Sequence, residues 1–464
     1  MSSNSGTIIN RSNEHSAFMN AIKSRNSKSL PELYSSEINT EPMAQSRVEI
    51  ESSSSAGHSR TMRIALPRYG MLNKLYLHST FGGAVYTTTG TTNGIKSVPF
   101  LGAFFASEYR LMYNGSLLAK LNPHTIISDL WKHGTQREKL KLQELLGAFD
   151  NGANVAQTDS HNSDDPTARW GSAGALGGVC DYYLPLDFWF GAKHSPNRGL
   201  DLSVLANEVT LEIDVDSSAN CFTVVGTATV PTLTNLSAVC YLTEMDMETE
   251  KQFRSLQYSP GTPLTQLAFD TSHIIVGPGL AHTGGADSQF DIKLNQFSGQ
   301  VFKLVVYATE KDAFTSKGYR LRPCQLKELQ IKATGSNIVN MDQLNKKEDI
   351  LESYHNGGDY YAVSEADHPF DKITCNPQHF YEINFKHPYD FSKVSATGSI
   401  AMGQLSVPSL RIVVSGDTGF GAQTNNIASS SSHPVDLHVI AYFTTLISYN
   451  TNTSGSTNIR QIMA

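Results

Sequence analysis

Acidic side chains come closest to forming a chemical site in this sequence. Asp159, Asp164 and Asp165 lie in a stretch rich in Ser and Asn, and Ca²⁺ prefers carboxylate oxygens as ligands. Glu208 and Glu212 form a pair like the acid and the nucleophile of a glycosidase. A solvated loop explains the aspartates better, and the even spacing of the glutamates places both on the solvent face of a strand. We therefore predict neither a cation site nor a glycosidase site.

Other patterns that carry chemistry are missing from the sequence. Asp246 and Glu248 have the same even spacing as Glu208 and Glu212, so they too are predicted to lie on a solvent face. Gly277–Gly279 lacks the strand and helix that a nucleotide-binding loop needs. The motifs H-E-x-x-H, G-x-x-x-x-G-K-[ST] and G-x-S-x-G do not occur, and no two histidines stand at the i,i+4 spacing of a metal site. The sequence therefore predicts no catalytic, cofactor-binding or metal-binding residue, no cofactor and no enzyme.

Length and composition favour two domains built from short strands. The 464 residues are enough for two domains of about 200 residues each. Charged residues make up 17% of the chain, the net charge is −7, and we expect no direct nucleic-acid binding by the folded body. Met1–Arg11 has no apolar segment of the signal-peptide type, and the apolar run Val98–Ala106 is too short to span a bilayer. A protein that is not secreted is expected.

Cysteine usage agrees with a reducing compartment. The cysteines are odd in number and scattered, and they are best read as buried thiols, although Cys221 and Cys240 flank a hairpin-like stretch and pairing between them stays open. The five are Cys180, Cys221, Cys240, Cys324 and Cys375.

Residues 1–56 differ from the rest of the chain and are predicted to form a flexible N-terminal arm. They are rich in Ser and Asn, and a disordered tail and an arm that orders against a partner both fit this composition. The first thirty residues contain one acidic residue and four basic ones, which are Arg11, Lys23, Arg25 and Lys28.

Beyond the arm, hydrophobic residues alternate with polar ones along many short segments. In Glu208–Val215 the apolar positions are every second residue, which is typical of a strand buried on one face of an antiparallel sandwich. Phe302–Tyr307, Tyr381–Phe385 and Val439–Phe443 repeat this signal. Turn residues separate the segments throughout, so we predict an all-β fold.

Two helices are predicted between strands of the first half. Asn122 is placed to cap the first, with Pro123 in its opening position and Gly134 at its end. A second helix follows over 135–146. Such a pair resembles a DNA-reading helix-turn-helix, but its mixed charge and its position between strands favour packing across the end of a sandwich.

The two halves repeat one order of elements. The strand Tyr109–Tyr113 with its Asn114-Gly115-Ser116 turn corresponds to Leu326–Ile331 with Thr334-Gly335-Ser336, and a helix is predicted to follow each, the second over Met341–Tyr354. Three later segments correspond at spacings of roughly 200 residues, which favours a duplicated domain. These pairs are Tyr182–Phe190 with Phe380–Lys386, Val209–Val215 with Leu410–Val414, and Val239–Met245 with Val439–Ser448.

The stretch Tyr182–Val215 resembles the signature segment of double jelly-roll major capsid proteins, which occur in nucleocytoplasmic large DNA viruses, virophages and polinton-like viruses. The resemblance covers most of residues 59–455. It departs from the family at Thr397–Met402, where the usual Asn-Phe-Ser-Arg run is replaced. The matching signature residues are Leu184, Pro185, Phe188, Phe190, Gly191, Gly199, Leu200, Leu202, Val209, Leu211 and Ile213.

This resemblance implies a fold of two consecutive eight-stranded jelly rolls, over 57–255 and 256–455, followed by a tail over 456–464. It implies a structural protein of the virion that forms pseudo-hexagonal homotrimers tiling an icosahedral shell. Neighbouring capsomers, penton and minor capsid proteins are the expected partners, and the basic excess of the arm suits either an anionic internal membrane or the acidic surface of a minor capsid protein. Trp170 and Phe104 look surplus to the sandwich cores and are candidate trimer contacts. The alternative is a carbohydrate- or receptor-binding β-sandwich, which shares the fold class but lacks the arm and the duplicated plan.

Overall fold

The structure is a computed structural model of the chain. It describes residues 43–82, 85–86, 94–98, 100–133, 138, 141, 145–146, 180–191, 199–225, 228–245, 250–251, 264–282, 286–310, 323–324, 326–333, 336–341, 380–385, 398–415, 434–451 and 457–463. Within these residues, no helix has the length and apolar character needed to cross a bilayer.

The first half forms a β-sandwich with short helices in its connections. Its strands are β1 (Met43–Glu51), β2 (Arg60–Ala65), β3 (Met71–Gly82), β4 (Val85–Tyr86), β5 (Gly94–Ser97), β6 (Ala106–Tyr113), β7 (Ser116–Leu121), β8 (Cys180–Pro185), β9 (Leu200–Asp201), β10 (Val209–Val215), β11 (Phe222–Val225), β12 (Ala228–Thr229) and β13 (Thr232–Met245). Its helices are α1 (Leu101–Phe104), α2 (Pro123–His133) and α3 (Ser218–Cys221).

Two sheets face each other in this first sandwich. One has the strand order β1-β13-β3-β8, with β9 also paired to β3, and the other has the order β2-β10-β6-β7. Every pairing is antiparallel, and two short ribbons, β11 with β5 and β12 with β4, extend the sandwich. Strand β10 shows why the sequence alternates: Val209, Leu211 and Ile213 are buried between the sheets while the residues between them are partly exposed.

The second half forms another sandwich. Its strands are β14 (Leu264–Leu280), β15 (Ser288–Lys293), β16 (Gln300–Glu310), β17 (Pro323–Cys324), β18 (Leu326–Ala333), β19 (Ser336–Met341), β20 (Tyr381–Asn384), β21 (Ile400–Ala401), β22 (Ser409–Val414), β23 (Val435–Thr451) and β24 (Thr457–Met463), with a 3₁₀ helix at Met402–Gln404.

Both sandwiches have the strand order of a jelly roll. The second has one sheet containing β14-β23-β16 with β20 on β16, and another with the order β15-β22-β18-β19. When the eight principal strands of each half are counted along the chain, both halves give sheets in the order 1-8-3-6 and 2-7-4-5. The predicted duplication is therefore confirmed, including the matched hairpins β6–β7 and β18–β19.

Local signals in the sequence explain the first hairpin and helix α2. Asn114 and Gly115 have φ values of 47° and 76°, the left-handed pair that a tight hairpin with right-handed strand twist requires. The predicted cap at Asn122 is confirmed, because its side-chain oxygen accepts hydrogen bonds from the Thr125 backbone N–H at 2.8 Å and from the Thr125 hydroxyl at 2.9 Å. The second predicted helix, over 135–146, falls mostly outside the described residues. Met341 ends strand β19, and the rest of the helix predicted from it lies outside the described residues.

The structure corrects both ends of the sequence-based domain plan. Met43–Glu51, assigned to the flexible arm, is strand β1 and pairs with β13 along its whole length. Thr457–Met463, assigned to a tail, is strand β24 and pairs with the far part of β23. Both segments read as irregular because their polar residues dominate, whereas pairing to the neighbouring strand fixes their conformation.

The third correction concerns strands β16 and β23, which are buried on both faces. Residues 301–309 of β16 are all buried, and β23 is buried along most of its length. The prediction that Phe302–Tyr307 and Val439–Phe443 are buried on one face only is wrong, because the outer face of this sheet is covered by the first sandwich. Leu304, Val306, Leu437 and Val439 belong to the second sandwich's own core, and Val305, Tyr307, Ile440 and Tyr442 join the core of the first.

The role of β24 is tested by two substitutions on the same strand. Ile459 is 3% exposed and packs into the first sandwich's core cluster, whereas Arg460 beside it is exposed. Ile459→Ala should lower the free energy of unfolding by about 2–4 kcal/mol, the usual cost of such a cavity. Arg460→Ala should change it by less than about 0.5 kcal/mol. Equilibrium denaturation measures both, and equal small effects would mean that 457–463 is a tail after all.

Candidate functional site

Among the described residues, buried polar side chains are concentrated at the surface between the two sandwiches. We call it the junction. Helix α2 of the first sandwich contributes one side of it, and the outer face of the sheet containing β14, β23, β16 and β20 contributes the other. Its polar members are His124, Ser128, Asp129, His273, Lys303, Tyr307, Thr309, Glu382 and His438.

Lys303 occupies the charged part of the junction. Its ammonium lies 2.7 Å from Asp129 Oδ1 on α2 and 3.2 Å from Glu382 Oε1 on β20, and all three side chains are less than 10% exposed. The ammonium also lies 4.0 Å from the ring centre of Tyr442 on the neighbouring strand. Burial alone would lower the pKa of Lys303, but the two carboxylates outweigh it and raise that pKa above its usual value. Lys303 is therefore charged at neutral pH and ties the two sandwiches together.

Further hydrogen bonds connect the first sandwich to β14 and β24. The backbone N–H of Lys120 on β7 donates to Asp270 Oδ1 at 3.2 Å, and the Thr271 hydroxyl donates to the Lys120 carbonyl at 3.0 Å. The Tyr113 hydroxyl, at the end of β6, donates to Asn458 Oδ1 at 3.0 Å. These contacts fix β14 and β24 against the hairpin β6–β7, so the two sandwiches have one defined relative position.

Three histidines form the second polar part of the junction. His124 lies on α2, His273 on β14 and His438 on β23, and one ring nitrogen of each lies within 4.8 Å of the others. His273 Nε2 is 3.0 Å from His438 Nδ1. Burial lowers the pKa of His273 to about 4, and burial together with His273 lowers the pKa of His438 well below its usual value. Both rings are therefore neutral at neutral pH.

The signature residues lie in the first sandwich, and the aromatic segment among them contacts the second sandwich. Leu184, Phe188, Phe190, Leu200, Leu202, Val209, Leu211 and Ile213 are buried in its core. Between the two phenylalanines, the fully buried Trp189 donates from Nε1 to Gln266 Oε1 on β14 at 3.3 Å. Gln266 Oε1 also accepts the Tyr449 hydroxyl at 2.9 Å. The aromatic signature segment therefore contacts the second sandwich as well as its own.

The remaining signature residues are a proline and two glycines, and the glycines lie where the structure leaves little room for a side chain. Pro185 ends β8, where it pairs with Tyr76 of β3. A side chain at Gly191 would crowd the Asn73 carbonyl at 3.2 Å. Gly199 has a φ of +97°, and a Cβ there would overlap the Met71 side chain, so this position requires glycine.

Some of the remaining residues predicted from the sequence lie in the part of the chain that the structure describes, and others do not. Glu208 is exposed, which agrees with the solvent-face interpretation. Glu212 lies on the outer face of β10, but its side chain is only 12% exposed because it pairs with Arg63 at 2.7 Å. Cys221 and Cys240 are both buried, and no disulfide joins them. Phe104 is 1% exposed in the first core, so its prediction as a trimer contact is wrong: it packs edge-to-face against His124. The candidates outside the described residues are Arg11, Lys23, Arg25, Lys28, Asp159, Asp164, Asp165, Trp170, Asp246 and Glu248.

Sequence reasoning missed Lys303 and the three histidines. Lys303 and His438 each interrupt an apolar run, VFKLVVY and DLHVIAY, and a polar residue inside a buried strand was the available signal. The partners are far away in sequence: His438 is 165 residues from His273, and Lys303 is 174 from Asp129. Such a set has no spacing that a motif search detects.

The ion pairs of Lys303 lead to a stability prediction. Lys303→Ala leaves two carboxylates buried without their cation, so the free energy of unfolding should fall by about 3–5 kcal/mol. Lys327 is the matched control: its ammonium lies 2.9 Å from Asp287, but both side chains are at least 40% exposed. Lys327→Ala should cost less than about 1 kcal/mol. Denaturant titration distinguishes the two, and a loss at Lys303 no larger than at Lys327 would show that the buried ion pairs do not stabilise the fold.

Comparison with known proteins gives no match from the sequence and clear matches from the structure. No protein-family model matches the chain, and no curated protein does. The structure of VP54 of PBCV-1, fitted into a cryo-EM reconstruction of the virophage Sputnik, matches with a TM-score of 0.59 at 13% identity, over 90% of this chain and 97% of that one.

Two other solved structures match at similar levels. The Faustovirus major capsid protein has a TM-score of 0.59 at 9% identity and covers 95% of this chain and 98% of its own. The mavirus major capsid protein has a TM-score of 0.52 at 10% identity and covers 90% of both chains. These likenesses extend over both sandwiches and agree with the strand orders found here. The chain therefore has the double jelly-roll fold of these viral major capsid proteins.

Proposed function

We propose that this chain is the major capsid protein of a double-stranded DNA virus and that it forms homotrimeric capsomers of pseudo-hexagonal outline. The observation that carries the proposal is the pair of sandwiches with one strand order, joined through a shared core. The likeness in fold to the Faustovirus and mavirus major capsid proteins over nearly their whole length supports it.

A two-lobed chain suits a hexagonal lattice for a geometric reason. Three copies around a threefold axis present six similar lobes, so one trimer fills a lattice position that has six neighbours. This arrangement works only if the two lobes of each chain keep a fixed relative position. The junction supplies that rigidity, because Lys303 and its carboxylates add directional contacts to an apolar interface. Neighbouring trimers, penton and minor capsid proteins are then the partners, and the virion shell is the location.

The oligomeric state is the first test of this proposal. The purified full chain should give a native mass spectrum dominated by three times the chain mass of 50.7 kDa. Electron microscopy of the same sample should show particles with six lobes. Obligate interfaces bury roughly 2,000 Å² or more, so the trimer should persist at micromolar concentration. A spectrum dominated by monomer under these conditions would contradict the proposal.

The basic N-terminal residues give the proposed shell an inner contact. Strand β1 begins at Met43, so residues 1–42 precede the first sheet. Arg11, Lys23, Arg25 and Lys28 lie in this segment. Each is worth about 1 kcal/mol near an anionic bilayer, and four together are enough for measurable binding. The arm therefore contacts an anionic membrane on the interior of the shell, while the folded body, with its acidic balance, binds no nucleic acid.

Vesicle sedimentation tests this role of the arm. The full chain should sediment with vesicles that contain phosphatidylserine and remain in the supernatant with phosphatidylcholine alone. A variant with all four basic residues changed to Ala should lose the binding and keep the trimer mass, which shows that the effect is local. Equal sedimentation of the variant and the natural chain would refute a membrane contact through these residues.

A further inference from the structure

We propose that His124, His273 and His438 form a binding site for a divalent transition metal, with Zn²⁺ as the best fit, that bridges the two sandwiches. The inference is independent of the capsid role, because it rests only on the side chains at the junction. The ligand-capable nitrogens lie within 4.8 Å of one another, and the ring centres of His124 lie 4.7 Å from His273 and 4.9 Å from His438.

The donor set selects the class of metal. Three imidazole nitrogens suit Zn²⁺, Cu²⁺ and Ni²⁺, whereas Ca²⁺ and Mg²⁺ prefer oxygen ligands. Three histidines with a water in the fourth position is an established ligand set for zinc. His124 and His273 are only partly buried, so the cluster is not sealed from solvent.

The other ring nitrogens are already oriented. The Thr309 hydroxyl lies 2.9 Å from His438 Nε2, which directs His438 Nδ1 toward His273. The Tyr307 hydroxyl lies 2.5 Å from His124 Nδ1. In metal sites a hydrogen bond to the second nitrogen of each histidine fixes the ring and its tautomer. Two of the three histidines therefore have the support that a ligand requires.

The histidine rings have to shift and turn to complete the geometry, because His273 Nε2 and His438 Nδ1 now face each other in a hydrogen bond. Two nitrogens bound to one zinc at about 2.1 Å in a tetrahedral site lie about 3.4 Å apart. The pair His273–His438, at 3.0 Å, has to open by a few tenths of an ångström. His124 has to move inward by about 1.4 Å at most, since its nitrogen lies within 4.8 Å of the other two. Because His124 belongs to α2 and the others to the second sandwich, the metal would link the two.

Zinc titration of the untagged full chain tests the site. After treatment with a chelator, calorimetry should find one Zn²⁺ per chain, and Co²⁺ should give the visible absorption of a low-symmetry nitrogen-ligand site. His124→Gln and His273→Gln should each raise the Kd for Zn²⁺ at least tenfold. Thr309→Val should raise it about 10–100-fold through loss of ring orientation.

His58→Gln is the matched control. His58 is also half-buried, with its ring nitrogens 3.3 Å from the carbonyls of Asp216 and Pro231, and it lies outside the cluster. Its Kd for Zn²⁺ should stay within twofold of the natural chain. The Co²⁺ spectrum of the natural chain needs no variant, so a variant that fails to fold does not decide the outcome. Absence of stoichiometric zinc and of the Co²⁺ bands, or equal affinity in His58→Gln and His273→Gln, would overturn the proposal and leave a hydrogen-bonded histidine cluster.

Discussion

One sheet of the second sandwich contributes side chains to the hydrophobic cores of both sandwiches, and the rest of the structure depends on this sheet. Strands β16 and β23 present alternate side chains to their own sandwich and to the first one, and β14 contributes one end to each core. A slip of one residue in their pairing would exchange the two faces, because the side-chain period of a strand is two residues. Apolar residues are needed at nearly every position, so the register and the relative position of the sandwiches are specified together.

Polar groups on this sheet have to find partners inside the interface. A buried ion pair is weak evidence for stability, because desolvation of the charges offsets much of their attraction. Its contribution at the junction is direction: Lys303, already paired with Glu382 on its own sheet, reaches Asp129 only when α2 lies in one place on that sheet. An apolar contact alone would tolerate sliding. The Tyr307 hydroxyl, 2.5 Å from His124 Nδ1 on α2, adds a second directional contact between the sandwiches nearby.

The sequence predicted features whose causes are local. Alternation along Val209–Val215, the cap at Asn122 and the turn at Asn114 and Gly115 each follow from a few neighbouring residues, and the structure confirms them. The order of elements in the two halves could be predicted for the same reason. The burial of β16 on both faces could not be predicted, because it depends on a surface contributed by residues far away in the chain.

Strand pairing also fixes the conformation of segments whose composition alone suggests irregular structure. Thr457–Met463 contains several polar residues and reads as a tail, yet Ile459 is buried because β23 extends beyond β16 and offers an open edge there. The histidine cluster has the same origin. Its members are single residues on three elements, and only the packing of α2 against the sheet brings them together.

The strand order constrains how the chain can fold as it is made. In each sandwich the first principal strand pairs with the last, β1 with β13 and β14 with β23, so neither sandwich closes until its final strand is available. Contacts this distant in sequence form slowly. At 5–20 residues per second, the roughly 200 residues from Met245 to Thr451 take about 10–40 s to synthesise. During that interval the first sandwich is complete except for its partner, and the apolar surface around Trp189 is exposed to water. That surface has no intramolecular partner until β14 and β23 have been made, so it is the part of the nascent chain that a molecular chaperone would cover.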